Sequence, residues 1–290
     1  MEALTVQARR LLLFLLLFAS SASYAGLDVV LVAEKNTSLQ QRLVQKFIQQ
    51  NSDIRVTAIS SGDKLASGSY LVAVGKGAPD KQVYNQAAGV IGVLISREQA
   101  LAKQLDSAIY VEPPLARQIQ LADKLLPGAK KLGLLVDKTT DKARIRKELS
   151  PKLYDQIQLV ALQESDNLNQ ALYKVLKDSR ALVGAYDNSI YNAANIKNIL
   201  ITSYRQHKVL IGPSKAYLKA GSFATTFSNL DDVVKRTLEI IFNHAESGEW
   251  SEAGYNPYFN ILYNKQVARS LNIPLPDKSN TLKYLQEAER

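Results

Sequence analysis

Small polar side chains recur directly after short apolar runs of this chain, and they are the residues best placed to do chemistry. They stand in AEKNTS (Asn36, Thr37, Ser38), GKGAP (Gly75, Gly77), ISRE (Ser96), VEPP (Glu112), VDKTT (Thr139), AYDNS (Tyr186, Asp187, Asn188, Ser189) and GPSKAY (Ser214). Hydroxyls at Thr37, Ser38, Ser96, Ser189 and Ser214 can hydrogen-bond a ligand, and helix N-termini beside them favour a carboxylate or similar anion. Taken singly, each is equally a helix cap. Their repetition at successive run ends supports binding. Asp187, directly after ALVGAY, has two readings as well: it caps the next helix, or it accepts hydrogen bonds from a ligand amine. Tyr186 and Phe227 are candidates to cover an apolar or aromatic part of the ligand.

Catalytic constellations are thin. The two histidines, His207 in SYRQHK and His244 in NHAESGE, lack a second histidine at zinc-protease spacing and read as surface or cap residues. No G-x-S-x-G elbow occurs. Gly75-Lys76-Gly77 starts like a phosphate loop, but Asp80 stands where a dinucleotide motif needs its third glycine, and no Lys-Ser or Lys-Thr follows. A tight turn explains it. Cysteine is absent, which removes disulfides, thiolate metal sites, cysteine nucleophiles and a lipidated N-terminal cysteine. These features point to a binding protein that is not an enzyme and needs no cofactor or metal.

The elements that must position these residues follow from the hydrophobic pattern. β-branched runs alternate with amphipathic segments, which is the form of repeated βαβ units. LDVVLVA from Leu27, IRVTAIS from Ile54, YLVAVG from Tyr70, VIGVLIS from Val90 and SAIYVE from Ser107 make one set. KLGLLVD from Lys131, IQLVAL from Ile157, ALVGAY from Ala181, VLIGPS from Val209 and SFATTF from Ser222 make a second. Leu39, Leu43 and Phe47, then Leu168, Leu172, Val175 and Leu176, then Ile196, Ile199, Leu200 and Tyr204 fall at helical spacing. Ser228 to Asp231 has capping-box spacing before Val234, Leu238, Ile241 and Phe242. A strand is expected over 257–263, and a short helix after Asn264 stopped by Pro274 and Pro276. The fold class is therefore α/β, with two doubly wound parallel-sheet lobes.

At the N-terminus, Arg9 and Arg10 precede an apolar run over 11–19, followed by small residues ending in Ser23-Tyr24-Ala25. This is the layout of a signal peptide over 1–25, cut between Ala25 and Gly26, and it places the protein in the periplasm of a Gram-negative bacterium. No second long apolar stretch follows, so no stable membrane insertion is expected. The net charge of +9 invites a nucleic-acid partner. Export and the scatter of Lys and Arg among acids argue against one, and the densest cluster, over 138–147, reads as a solvated helix face.

Three stretches carry a family likeness: YVEPPLARQIQLADKLLPGAKKLGLLVD from Tyr110, DNSIYNAANIKNILITSYRQHKVLIGPSKAYLKAGSFAT from Asp187, and NKQVARSLNIPLPD from Asn264. Together they resemble the ABC-transporter substrate-binding family with the type I periplasmic binding fold, relatives of tryptophan- and tyrosine-binding proteins. The resemblance implies lobes of 26–112 plus 228–257 and 113–227 plus 258–290, with a three-crossover hinge near Glu112-Pro113, near Phe227-Ser228 and before Tyr258. It also implies capture of a small ligand, an amino acid or related amine, for an ABC permease. A nucleobase or sugar-like ligand stays open, as does a sensing module that reports occupancy to a membrane sensor.

Overall fold

The computed structural model describes residues 26–289 except 36, 78, 129, 138–141, 163, 164 and 166. The expected signal peptide and its cleavage point, and the candidates Asn36 and Thr139, lie outside the described residues.

The first apolar run shows how the sequence sets the architecture. It forms β1 (Asp28–Ala33), whose side chains alternate between two fully apolar environments. Val29, Leu31 and Ala33 enter a core with Leu43 and Phe47 of α1 (Ser38–Gln50), while Val30 and Val32 face Tyr84, Ile95 and Ala100 on the other side. A strand buried on both faces reads as an unbroken hydrophobic run, as parallel strands do. The chain continues through β2 (Arg55–Ser60), β3 (Tyr70–Val74), a 3-10 turn over Lys81–Tyr84, β4 (Gly89–Ile95), α2 (Arg97–Ala102) and β5 (Ser107–Tyr110).

It then crosses to a second sheet, beginning with α3 (Leu115–Leu125), β6 (Lys131–Val136), α4 (Lys142–Glu148), α5 (Pro151–Asp155) and β7 (Ile157–Ala161). There follow α6 (Leu168–Lys177), β8 (Ser179–Val183), α7 (Ile196–Arg205), β9 (Leu210–Ile211), α8 (Lys215–Ala220) and β10 (Ala224–Phe227). A return crossing leads to α9 (Leu230–Ser247) and β11 (Gly254–Tyr255). A third leads to β12 (Asn260–Tyr263), α10 (Lys265–Ser270) and α11 (Lys278–Ala288). The sheets run β2-β1-β3-β4-β5-β11 and β7-β6-β8-β9-β10-β12, parallel except for β12 against β10. Each order reverses direction once, beside β1 in the first sheet and beside β6 in the second, which is the doubly wound pattern.

Local differences from the sequence reading have local causes. The capping box sits one residue later than its spacing suggested: Asn229 accepts from Asp232 N at 2.9 Å, and Asp232 accepts from Asn229 N at 2.8 Å. Ser228 is drawn away, donating to Tyr258 O at 2.7 Å across the hinge. The expected strand over 257–263 pairs only from Asn260, because Asn256 turns the chain by accepting from Tyr258 N. The two-residue β11 and the terminal α11 had no counterpart in the sequence reading. Among the described residues, no helix is long and apolar enough to cross a membrane.

Candidate functional site

The carboxyl ends of the two sets of parallel strands border a cleft of about 570 Å³ between the lobes. Ligands of open α/β sheets bind at such edges. The first lobe contributes Ser96, Arg97 and Glu98 after β4, Glu112 after β5, and Tyr255 of β11. The second contributes Asp137 after β6, residues 184–189 after β8, Pro213, and Arg144, Ile145 and Glu148 of α4. Pro113, Leu115 and Gln118 complete the lining where the chain enters α3. Gln118 is fully engaged there. It donates to Gly212 O at 2.7 Å and accepts from Thr226 N and Oγ1 at 3.2 and 3.0 Å, which fixes the second-lobe side of the first crossing.

On the second lobe, Asp187 organises the wall. One carboxylate oxygen accepts from Asp137 N at 3.0 Å, and the other from Ser189 N and Oγ at 2.9 and 2.6 Å. It thereby ties the ends of β6 and β8, where the strand order reverses. The buried Tyr191 hydroxyl donates to Leu135 O at 3.3 Å and holds the same loop down. Asp187 is thus bound to three protein donors of its own loop and of the β6 end, while the N-cap residue of the next helix is Asn195. Tyr186 projects beside it with 39% exposure. Burial, and then the charge of Glu112, raise its hydroxyl above the ordinary tyrosine range.

On the first lobe, Ser96 caps α2 reciprocally with Gln99. Glu112 accepts from Arg97 N through Oε1 at 2.8 Å, while its Oε2 is buried with no hydrogen-bond partner in the structure. Burial pushes the Glu112 carboxyl up, and the charge of Glu148 adds to this; the Arg97 N–H, the N–H of Glu112 itself and the Arg97 guanidinium oppose it. Two contacts then join the lobes. Tyr255 donates to Glu148 Oε1 at 2.7 Å, and Arg97 Nη1 lies 3.5 Å from Glu148 Oε2. The Tyr255 ring meets Tyr110 edge-on with centroids 5.3 Å apart.

The elevated Glu112 carboxyl makes stability depend on pH in a defined direction. A carboxyl that protonates more readily folded than unfolded adds stability below its unfolded pKa, and this is lost as pH rises through the folded value. Arg97, Glu148, Tyr110, Tyr186 and Tyr255 are the charged or titratable groups that act on Glu112 or feel its charge. Glu112→Gln is therefore expected to raise the unfolding temperature near neutral pH. The gap from wild type should close as pH falls to about 4, near the ordinary carboxyl range. Thermal unfolding of both proteins between about pH 4 and pH 8 checks this; a variant less stable at neutral pH contradicts it.

Of the residues singled out in the sequence, the structure brings Ser96, Glu112, Tyr186, Asp187, Asn188 and Ser189 to the cleft. Thr37, Ser38, Gly75, Gly77, Ser214 and Phe227 stand at strand ends but outside its lining. Thr37 caps α1, accepting from Gln40 N at 3.2 Å, and Ser38 is the first residue of that helix. Gly75 makes a turn at φ +75°, and Gly77 lies so near the β1 loop that a Cβ there would be 2.6 Å from Glu34 Cβ. Ser214 is the N-cap residue of α8 without a side-chain cap bond, and the Phe227 ring is covered by Lys215 Nζ at 4.3 Å. Arg97, Asp137, Arg144, Glu148 and Tyr255 were not singled out. Arg97 and Asp137 lie within the polar strand ends quoted above, whereas Arg144, Glu148 and Tyr255 carry no local signal.

No protein-family model and no curated protein sequence matches the chain. Solved structures do. A substrate-binding protein with adhesive properties from Clostridium difficile, in its ligand-free open structure, is 11% identical with a TM-score of 0.63, over 88% of this chain and 97% of that one. An ABC domain from Streptococcus pneumonia in complex with L-Trp is 16% identical with a TM-score of 0.52, over 88% and 98%. A periplasmic ribose ABC transporter protein from Conexibacter woesei is 10% identical with a TM-score of 0.50, over 91% and 99%. With two doubly wound lobes, three crossings and a cleft between them, this chain has the type I periplasmic binding fold.

Proposed function

We propose that the protein is a periplasmic solute-binding protein of a Gram-negative bacterium, released by cleavage between Ala25 and Gly26. It captures a small ligand, an amino acid or related amine, in the interlobe cleft and delivers it to an ABC permease. The observation that carries this reading is the buried, unpartnered Oε2 of Glu112 in a cleft walled by both lobes. A buried charged oxygen without a partner is unfavourable, and a bound donor would satisfy it. Glu148 and Asp187, which also line the cleft, already hold protein donors. Lobes of 26–112 with 228–257 and 113–227 with 258–290 turn about the crossings at Glu112-Pro113 and Phe227-Ser228.

A thermal-shift screen of amines, amino acids, sugars and nucleobases, followed by small-angle scattering with each hit, tests the reading. A hit should compact the protein, and at a hundred times its dissociation constant it should stabilise the fold by ~2.7 kcal/mol. An unchanged radius of gyration with every saturating hit counts against capture between the lobes.

A further inference from the structure

Within that solute-binding reading, we infer that the cleft selects a ligand of net positive charge: an organic amine without a balancing carboxylate, its ammonium on Glu112 and its carbon skeleton against Tyr186 and Tyr255. The first support is the charge balance. Glu98, Glu112, Asp137, Glu148 and Asp187 line the cleft against two guanidiniums, Arg97 and Arg144, among the described residues, in a protein whose formal net charge is +9. Arg97 is already paired with Glu148, and Arg144 is exposed.

The second support is where the backbone donors point. A ligand carboxylate would dock on free N–H groups at the strand ends. On the first lobe, Arg97 N is taken by Glu112 and Gln99 N by Ser96. On the second, Asp137 N and Ser189 N are both taken by Asp187. Carboxylates of the protein thus take three of these donors and the Ser96 hydroxyl the fourth, so they are not open to a zwitterion's carboxylate. What is left open is an acceptor, Glu112 Oε2, with two tyrosine rings lining the same cleft, a combination that suits an ammonium group.

The test titrates the dialysed protein calorimetrically with matched pairs: phenethylamine and phenylalanine, tyramine and tyrosine, cadaverine and lysine, agmatine and arginine, with ribose as a neutral control. At least one amine is expected to bind about tenfold or more tightly than its amino acid. Glu112→Gln, which keeps the acceptor for Arg97 N and replaces Oε2 by a donor, should weaken that amine by roughly tenfold to a hundredfold. Its unfolding temperature shows separately that it folds. An amino acid that binds as tightly as its amine, or ribose filling the cleft with Glu112→Gln unaffected, overturns the inference and leaves solute binding standing. If no amine binds, the inference also falls, and solute binding is then judged by lobe closure in the wider screen.

Discussion

Arg117→Ala is expected to destabilise the protein by about 3 kcal/mol, the lower end of what removing one partner of a buried ion pair costs. Arg117 is 3% exposed on α3, and its guanidinium forms a two-pronged pair with Glu289 just past α11. It also donates to Asn256 O at 3.0 Å and lies 3.7 Å over the Phe259 ring. One side chain therefore joins the helix after the first crossing, the segment of the third crossing and the C-terminal end. Its loss leaves a carboxylate and a buried carbonyl without their donor and opens a hole above Phe259. The choice of the lower value follows from Glu289, whose side chain is 27% exposed and can turn to water. Arg117→Lys keeps the charge but not the fork, so it should fall between wild type and Ala. Urea unfolding at constant m-value measures both; a loss below about 1 kcal/mol for Arg117→Ala would show that the cluster is dispensable.

Fold and site were legible to different degrees because they rest on patterns of different range. In β1 and in α6 the periodicity is local, and Leu172, Val175 and Leu176 are buried on the helix face their spacing gave. In β11 two residues pair with β5 only because the hinge delivers them there, and nothing in GY signals it. For the candidate site, the sequence pointed to strand ends, and several of these border the cleft. On the second lobe they led to 186–189, since the Asp187 loop meets the end of β6 where the strand order reverses. On the first lobe they also led to Thr37, Ser38, Gly75 and Gly77, which lie outside the lining of this cleft. Asp187 was read correctly as a charged strand-end residue. Whether its oxygens faced a ligand or its own loop depended on Asp137 N, fifty residues away. Arg97, Glu148 and Tyr255 meet only through the angle between the lobes, which no sequence window encodes.

That meeting is the source of the other large effect expected. Glu148 is a second-lobe residue whose two oxygens face Tyr255 and Arg97 of the first lobe, so it ties the two lobes directly. Removing it in Glu148→Ala leaves the tyrosine hydroxyl and the guanidinium free to reach water once the lobes part. The closed arrangement then loses roughly 1.5 to 3 kcal/mol, the range for hydrogen bonds to a charged group, whereas the open one loses nothing. If the closed arrangement is the one that binds tightly, apparent affinity falls in proportion to its population. Ligand binding should weaken by roughly tenfold to a hundredfold, and the loss of one negative charge from the cleft lining adds to this for a cationic ligand. The unliganded variant should also show a larger radius of gyration than wild type, and saturating ligand should restore the wild-type value. Association should be as fast or faster, since an open cleft admits ligand more readily, with the weakening seen in dissociation. Tyr255→Phe removes one of the two contacts and should give the same pattern at a smaller size. Scattering of the unliganded proteins decides the matter most directly: an identical radius of gyration for wild type and Glu148→Ala would show that the lobes are held by the hinge alone.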